Sequence, residues 1–236
     1  MFGVFLATIL PVIAMRWLHP WYSAFMLDAA LDASREGRAN YHTDYRWADL
    51  EQISPHAAVA VIASEDQLFP FHVGFDFQSI REAVRSNERQ ATRKHPHVRG
   101  ASTISQQVAK NLFLWNGRSY FRKGLEAYFT LLIELIWPKE RILEVYLNIA
   151  QFGDGIYGVE AAAQRFWHKP AARLDRYEAA TLAAVLPNPV RMRANEPSAY
   201  VQMRRDEILA QMRGLGGASY LDQLDNPTAP PARKVK

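Results

Sequence analysis

The spacing of apolar residues through the middle of the chain constrains the fold more than any other feature. Between residues 125 and 147, apolar side chains recur at steps of three and four, the period of a helix that buries one face. Pro138 divides this stretch into two helices. Two further helical runs end at Pro187 and at Gly216-Gly217, and alternating strand patterns are nearly missing. The sequence therefore predicts a mostly α-helical fold.

Length and composition divide the chain into three parts. With 236 residues, of which 49% are hydrophobic, the chain can bury one sizeable core. We predict a membrane anchor over residues 1–20, a globular domain over 21–218, and a disordered, Pro-rich polar tail over 219–236. Cysteine is absent, which excludes disulfides, thiolate metal sites and a Cys nucleophile.

The first fifteen residues, MFGVFLATILPVIAM, carry no charge and are followed by Arg16 and the aromatic residues Trp17, Trp21 and Tyr22. This pattern favours an uncleaved transmembrane helix with an interfacial aromatic belt. The run is short, because fifteen residues at about 1.5 Å each cover about 22 Å of a hydrocarbon core of about 30 Å. A signal peptide is the alternative, although no basic segment precedes the run and no clear cleavage site follows it.

The chain carries 28 Lys and Arg against 24 Asp and Glu. This modest excess suits an anionic partner such as lipid headgroups, pyrophosphate or nucleic acid, and equally an ordinary solvated surface. Several of the cations lie in the segment Asn87 to Gly100, which has almost no apolar residues. We predict that this segment is a mobile surface loop, because burial cannot offset the entropy of ordering it.

Adjacent acids, Glu65 and Asp66, follow the small apolar run AAVAVIAS, and His72 lies shortly after them. A carboxylate at the edge of a buried helix is partly desolvated, which raises its pKa and makes it a competent proton acceptor or donor. The alternative is a pair of ordinary surface charges at a helix end.

Polar residues recur in GASTISQQVAKNLFL, Gly100 to Leu114. Ser102 or Thr103 can cap a helix on which Gln106 and Lys110 share a face, opposite apolar residues. Such a face suits sugars and phosphates, although ordinary amphipathic surface helices look similar.

The third polar region begins with cations and leads to a single acid. Arg118, Arg122 and Lys123 precede Glu126, which enters a strongly apolar helix. In this setting the carboxylate can stay ionised, hold a metal ion or orient a basic residue. A basic surface stripe with paired acids is the alternative.

Taken together, the chain resembles the family 51 glycosyltransferases, and within them the monofunctional biosynthetic peptidoglycan transglycosylases. Five ordered motifs carry the resemblance. They are EDxxFxxHxG at Glu65 to Gly74, G-[GA]-ST-x-x-QQ-x-x-KN at Gly100 to Asn111, RKxxE at Arg122 to Glu126, KxxILExYLN at Lys139 to Asn148, and GxxGxxxAAxxYF at Gly155 to Trp167, where Phe166-Trp167 replaces Tyr-Phe. No S-x-x-K motif of a transpeptidase occurs.

The resemblance implies a lysozyme-like glycosyltransferase domain with an N-terminal transmembrane helix. It implies an enzyme of the cell inner membrane whose catalytic domain lies on the periplasmic side, whereas Arg16 alone would favour the opposite orientation. The implied substrates are lipid II and the growing glycan strand, cell-division or cell-wall synthesis proteins are candidate partners, and nucleic acid is not expected.

The resemblance also assigns roles. Glu65 is implied to be the general base and Glu126 the second essential acid, which supports the cations or a divalent ion such as Mg²⁺ or Mn²⁺. Lys110 and Arg118 are implied to neutralise the leaving pyrophosphate. The remaining residues implied to contact or support the substrate are Asp66, Phe69, His72, Ser102, Gln107, Asn111 and Arg122.

Two other functions stay open on the sequence alone. A lysozyme or lytic enzyme on the same fold would share the helices and a key Glu, but would not need cations around an anionic leaving group. A membrane scaffold or nucleic-acid binder is suggested only by the basic charge.

Overall fold

The computed structural model describes residues 2–78, 81, 102–117, 119–228 and 230. Helices dominate this part of the chain, as predicted. The α-helices are α1 (Phe2–Ala14), α2 (Ala24–Arg35), α3 (Pro55–Glu65), α4 (Ile104–Phe113), α5 (Tyr120–Ile136), α6 (Lys139–Ile149), α7 (Val159–Trp167), α8 (Arg176–Val185) and α9 (Ala199–Leu215). Short 3-10 turns lie at Leu50–Gln52, Phe69–Phe71, Ala171–Arg173 and Gly217–Gln223. The predicted mobile loop at 87–100 lies outside the described residues.

Helix α3 runs through the centre of the domain. Ser54 caps its first turn by accepting a hydrogen bond from the His56 amide, and Pro55 opens the helix with its φ already fixed. Every residue from Ala57 to Ala63 is buried, which indicates an interior helix with no solvent face. Helices α8 and α9 pack against it and against each other. The small side chains of α3 permit this close packing.

Helices α4, α5 and α6 form a second packed group, in which α4 contacts both of the others. The Thr103 hydroxyl accepts from the Gln106 amide, and the Gln106 side chain accepts from the Thr103 amide, which is a reciprocal capping box. Of the two predicted caps, Thr103 is therefore the one used. Pro138 separates α5 from α6, as the sequence predicted.

A small three-stranded sheet lies beside the helices, in the order β1 (Asp44–Tyr45), β3 (Ile156–Tyr157), β2 (Gln151–Gly153). Strand β1 pairs in parallel with β3, and β2 pairs antiparallel with it. Each strand has only two or three residues, too few to produce a recognisable alternating pattern. The sheet ends where Gly158, with φ of 85°, places its backbone against the Asn148 carbonyl.

The N-terminal segment is tied to α5 and α6 by hydrogen bonds to its backbone. Trp137 Nε1 donates to the Val12 carbonyl at 2.7 Å, and Arg141 Nη2 donates to the carbonyls of Met15 and Leu18 at 2.9 and 2.6 Å. Helix α1 has 13 residues. None of the helices in the described ranges combines the length and apolar character needed to cross a membrane. The predicted transmembrane helix is therefore not confirmed.

The beginning of the predicted tail is ordered, which corrects the expectation of disorder from residue 219. Residues Gly217–Gln223 form a 3-10 helix, and Tyr220 and Leu224 are buried. The Tyr220 hydroxyl also donates to the Gln67 carbonyl at 2.6 Å. The burial of these two apolar side chains docks the segment on the core. The sequence-based prediction missed it because the average composition of residues 219–236 is polar.

Candidate active site

Glu65 is the last residue of α3, and its carboxylate accepts a hydrogen bond of 2.8 Å from Gln107 Nε2 on α4. Burial raises the pKa of Glu65 above its ordinary value of 4.5, and neighbouring Asp66 adds to this shift. The Gln107 hydrogen bond and the positive charges of Arg204 and Lys110 oppose it. Glu65 therefore has the raised proton affinity that suits a general base.

Asp66 and His72 hold the turn that follows α3. The Asp66 carboxylate accepts from His72 Nε2 at 2.9 Å and from the Ile104 amide, at the start of α4, at 3.0 Å. Phe69 is fully buried beneath this turn, with its ring nearly perpendicular to that of His72. The Phe69 ring has no exposed surface, and its implied substrate contact stays a prediction. Asp66 and His72 fix the turn that directly follows Glu65 and tie it to the start of α4.

A second set of contacts ties the same turn to α4 and α5. The Thr103 hydroxyl donates to the Gly74 carbonyl at 2.7 Å. Gly74 has φ of 76°, and a Cβ there would lie 2.6 Å from Thr130 on α5. Lys139 donates to the His72 carbonyl and to Glu134 at 2.7 and 2.8 Å. These contacts hold in place the turn that directly follows Glu65.

Lys110 lies on α4, one turn after Gln107, within electrostatic reach of both key carboxylates. Burial lowers the pKa of Lys110, and the charges of Arg122 and Lys123 lower it further. Glu126 and Glu65 act in the opposite direction. A half-buried lysine with a lowered pKa is poorly solvated, and an arriving anion would stabilise its charged form.

Glu126 is a buried acid whose two oxygens already have cationic partners. Only 3% of its side chain is exposed. One oxygen accepts from Arg122 Nη1 at 3.0 Å, and the other accepts from Lys123 Nζ. Within the described ranges, no group of three His, Cys, Asp or Glu side chains could hold a metal ion. Glu126 and its surroundings therefore do not fit a protein-held divalent cation.

Three side chains of this region present polar atoms without a partner in the part of the chain that the structure describes. Asn111 Oδ1, Arg122 Nε and His72 Nδ1 are buried and make no hydrogen bond there. Buried polar atoms of this kind are normally hydrogen-bonded, so the partners of these three atoms lie beyond the described residues. Ser102 is exposed, and Arg118 lies outside the described residues, so its role stays a prediction.

The arrangement joins one proton acceptor to a cluster of cations. Glu65 can take a proton from a hydroxyl, and Lys110 with the Arg122–Glu126–Lys123 group can stabilise negative charge on a leaving group. Such a combination fits the displacement of an anionic leaving group by a hydroxyl. The sequence model of the family described as Transglycosylase matches residues 33–213, which include both parts of this arrangement.

The chain belongs to the transglycosylase family. It is 54% identical over 215 residues to the biosynthetic peptidoglycan transglycosylase of Xanthomonas campestris pv. campestris (strain B100), covering 91% of this chain and 85% of the relative. The protein of that name from Xylella fastidiosa (strain 9a5c) is 52% identical, covering 92% and 87%. That from Escherichia coli O17:K52:H18 (strain UMN026 / ExPEC) is 57% identical, covering 86% and 82%.

Two groups at this transglycosylase site were not singled out from the sequence. Arg204 on α9 acts on the charge of Glu65, although it lies far from every motif. Tyr146 on α6 donates to Gln107 Oε1 at 3.2 Å. Tyr146 stands in a motif, but its place on the apolar face of α6 is typical of a core residue. Gln106, predicted to share the polar face with Lys110, is buried and used in the capping box.

Proposed function

We propose that this transglycosylase polymerises lipid II into β-1,4-linked glycan strands of peptidoglycan. The growing strand is the donor, carried on undecaprenyl pyrophosphate, and the incoming lipid II supplies the 4-hydroxyl of its GlcNAc as acceptor. The observation that carries the proposal is the pairing of one base of raised pKa, Glu65, with a cationic cluster that includes a desolvated Lys110.

In the proposed reaction Glu65 takes the proton of the acceptor hydroxyl. The oxygen then attacks the anomeric carbon of the donor, and the bond from that carbon to pyrophosphate breaks with its electron pair going to the pyrophosphate. The configuration inverts from α to β. The Gln107 hydrogen bond at 2.8 Å keeps one oxygen of Glu65 fixed, which holds the base in one orientation.

The leaving pyrophosphate departs with its negative charge already present, so it needs cations more than it needs a proton donor. Lys110 is proposed to meet this charge directly. Arg122 is held by Glu126 through one Nη, which leaves its buried Nε without a partner in the described part of the chain. We propose that this Nε and Asn111 Oδ1 complete their bonding when substrate or water enters the site.

A glycan hydrolase is the alternative on a related site. Hydrolysis needs a protonated acid at the leaving oxygen and a water molecule at the anomeric carbon. The raised pKa of Glu65 is compatible with either role. Half-buried Lys110 and the Arg122–Glu126–Lys123 group favour transfer from pyrophosphate, because a neutral sugar leaving group does not need cations to stabilise it.

Incubation with purified lipid II separates the two activities. We expect long glycan strands and release of undecaprenyl pyrophosphate, and no shortening of preformed strands. Gel separation of labelled glycan provides the measurement, and a reaction without protein is the control. Cleavage of preformed strands without any polymer from lipid II would refute the proposal.

We also propose that the chain is held in the cell inner membrane by its N-terminal region, with the catalytic domain on the periplasmic side. Exposed apolar side chains support the association with a membrane. They are Leu6, Leu10 and Ile13 on α1, and Trp17, Leu18 and Trp21 directly after it. The lipid-linked substrate gives the same expectation, since the enzyme must work at a membrane surface.

The absence of cysteine allows a direct test of this topology. A single Ala218→Cys variant places a thiol at an exposed position far from the N-terminus. We expect a membrane-impermeant maleimide to label it in intact cells with a permeabilised outer membrane. The cysteine-free chain is the control for background. Labelling only after the inner membrane is broken would contradict the periplasmic placement, and recovery in the soluble fraction would contradict the membrane association.

A further inference from the structure

Three helices meet at the Glu65 carboxylate through two consecutive hydrogen bonds. Tyr146 Oη, on α6, donates to Gln107 Oε1, on α4, at 3.2 Å. Gln107 Nε2 then donates to Glu65 Oε2, at the end of α3, at 2.8 Å. Tyr146 is fully buried, with 1% of its surface exposed, and its hydroxyl is hydrogen-bonded to the Gln107 amide.

The direction of these two hydrogen bonds decides whether the nitrogen or the oxygen of the Gln107 amide faces Glu65. If the amide were flipped, its oxygen would face the carboxylate oxygen, and both groups accept hydrogen bonds. The flipped amide would also leave the buried Tyr146 hydrogen without its acceptor, which is costly in the interior. The tyrosine hydroxyl therefore favours the orientation in which the amide donates to ionised Glu65.

We propose that Tyr146 is a positioning residue for the base Glu65, and that it sets the proton affinity of Glu65 by fixing the orientation of the Gln107 amide. The inference rests on the proposed function for its catalytic consequence. The coupling between Tyr146 and Glu65 is a property of the folded chain and can be measured without substrate.

Other charged groups also act on the pKa of Glu65, independently of Tyr146. They are Asp66 at the end of α3, Lys110 on α4 and Arg204 on α9. Burial, with the nearby charges of Glu65 and Asp66, raises the pKa of Tyr146 well above its ordinary value of 10.0. Tyr146 therefore stays a protonated donor throughout the pH range in which Glu65 titrates. The expected effect of Tyr146 on Glu65 does not require a change in the charge of Asp66, Lys110 or Arg204.

Tyr146→Phe removes one hydroxyl and keeps the ring that fills the core. The Gln107 amide is then free to turn, ionised Glu65 loses a fixed donor, and its pKa rises further. We expect the acidic limb of the rate of lipid II polymerisation to move to higher pH by about half a unit to one unit, the effect of one net hydrogen bond. Tyr157→Phe is the matched control, because Tyr157 is equally buried but Glu65 is not among the groups that act on it. We expect no shift for this variant.

Thermal unfolding against pH gives a second measurement that needs no activity. We expect the loss in Tm caused by Tyr146→Phe to grow as the pH rises through the titration of Glu65, since only the ionised carboxylate needs the oriented donor. In a Glu65→Gln background the loss is expected to be independent of pH.

Three results would overturn the inference. They are an unchanged acidic limb in an active Tyr146→Phe variant, the same shift in Tyr157→Phe, and a Tm loss that is the same at every pH with and without Glu65. If the wild-type chain makes no polymer, the proposed function fails, and the unfolding measurements still decide whether Tyr146 controls Glu65.

Discussion

Glu65→Gln is expected to lower kcat for lipid II polymerisation by about 10²–10⁴, the range that a positioned general base contributes. Glutamine keeps the size of the side chain and retains an oxygen that can accept from Gln107 Nε2, but it cannot take a proton. The folded state is expected to survive, so the loss is catalytic. Steady-state kinetics with purified lipid II, with circular dichroism as the check on folding, measure both parts of this expectation.

The same substitution is expected to stabilise the protein at neutral pH. Because burial raises the pKa of Glu65, the folded state binds its proton more tightly than the unfolded chain does. The free energy of unfolding therefore falls as the pH rises from the ordinary value of 4.5 through the raised pKa. Above this window ionised Glu65 opposes folding, and glutamine removes that cost. We expect the free energy of unfolding to increase by about 0.5–2 kcal/mol. Each kcal/mol corresponds to a rise in Tm of about 2–4 °C, and the difference from the wild type grows with pH.

Glu51→Gln is the matched control, because Glu51 is exposed and lies outside the site. Its effect on stability is expected to stay within about 0.5 kcal/mol, with kcat unchanged. A Glu65→Gln variant that retains more than a tenth of the wild-type kcat would contradict the assignment of the base. A lower Tm for Glu65→Gln than for the wild type at neutral pH would contradict the claim that desolvated, ionised Glu65 opposes folding.

Lys110→Met is expected to reduce kcat by about 10²–10³, the usual effect of removing one preorganised charge that stabilises a leaving group. Methionine keeps an unbranched chain in the same space. Since burial lowers the pKa of Lys110, its removal should not destabilise the fold, and Glu126 keeps Arg122 and Lys123 as partners. Kinetics with lipid II and thermal unfolding separate the lost activity from any loss of structure.

The pH dependence gives an independent check on Lys110. Its lowered pKa means that the wild-type enzyme loses this charge, and with it kcat/KM, on the alkaline side at a pH below the ordinary lysine value of 10.5. Lys110→Arg should retain part of the activity and move the alkaline limb upward, because arginine stays charged. Lys169→Met, which removes a lysine paired with Glu178 away from the site, is the control and should leave the profile unchanged. An alkaline limb that stays in place in Lys110→Arg would refute the role.

The helices could be predicted from the sequence because their causes are local. Apolar residues at steps of three and four define α5 and α6, Pro138 separates them, and Gly216 ends α9 in a left-handed conformation with φ of 99°. The three strands could not be predicted, because segments of two or three residues are determined by their partners. The order at Tyr220 and Leu224 was missed for the same reason, since their burial depends on a surface formed elsewhere.

The motifs named the residues of the candidate site but not their contacts. Adjacent glutamines illustrate the difference: Gln106 closes the capping box of α4, whereas Gln107 reaches Glu65. The helical period placed Gln106 on the same face as Lys110, and only the packing of α4 against its neighbours decided that Gln107 meets Glu65. Phe69, in the same motif as Glu65, is a buried support.

By itself the sequence determined the helical class, the points where the main helices end, and the residues that can donate, accept or carry charge. Those properties follow from side-chain chemistry and from interactions within a few residues of the chain. The tertiary structure decided that the Glu65 carboxylate is desolvated and bonded to Gln107 near Lys110. It also decided that Tyr146 bonds the same Gln107 amide and that Arg204 acts on the charge of Glu65. The physical reason is that desolvation and electrostatic coupling depend on distances between helices that are remote in the sequence.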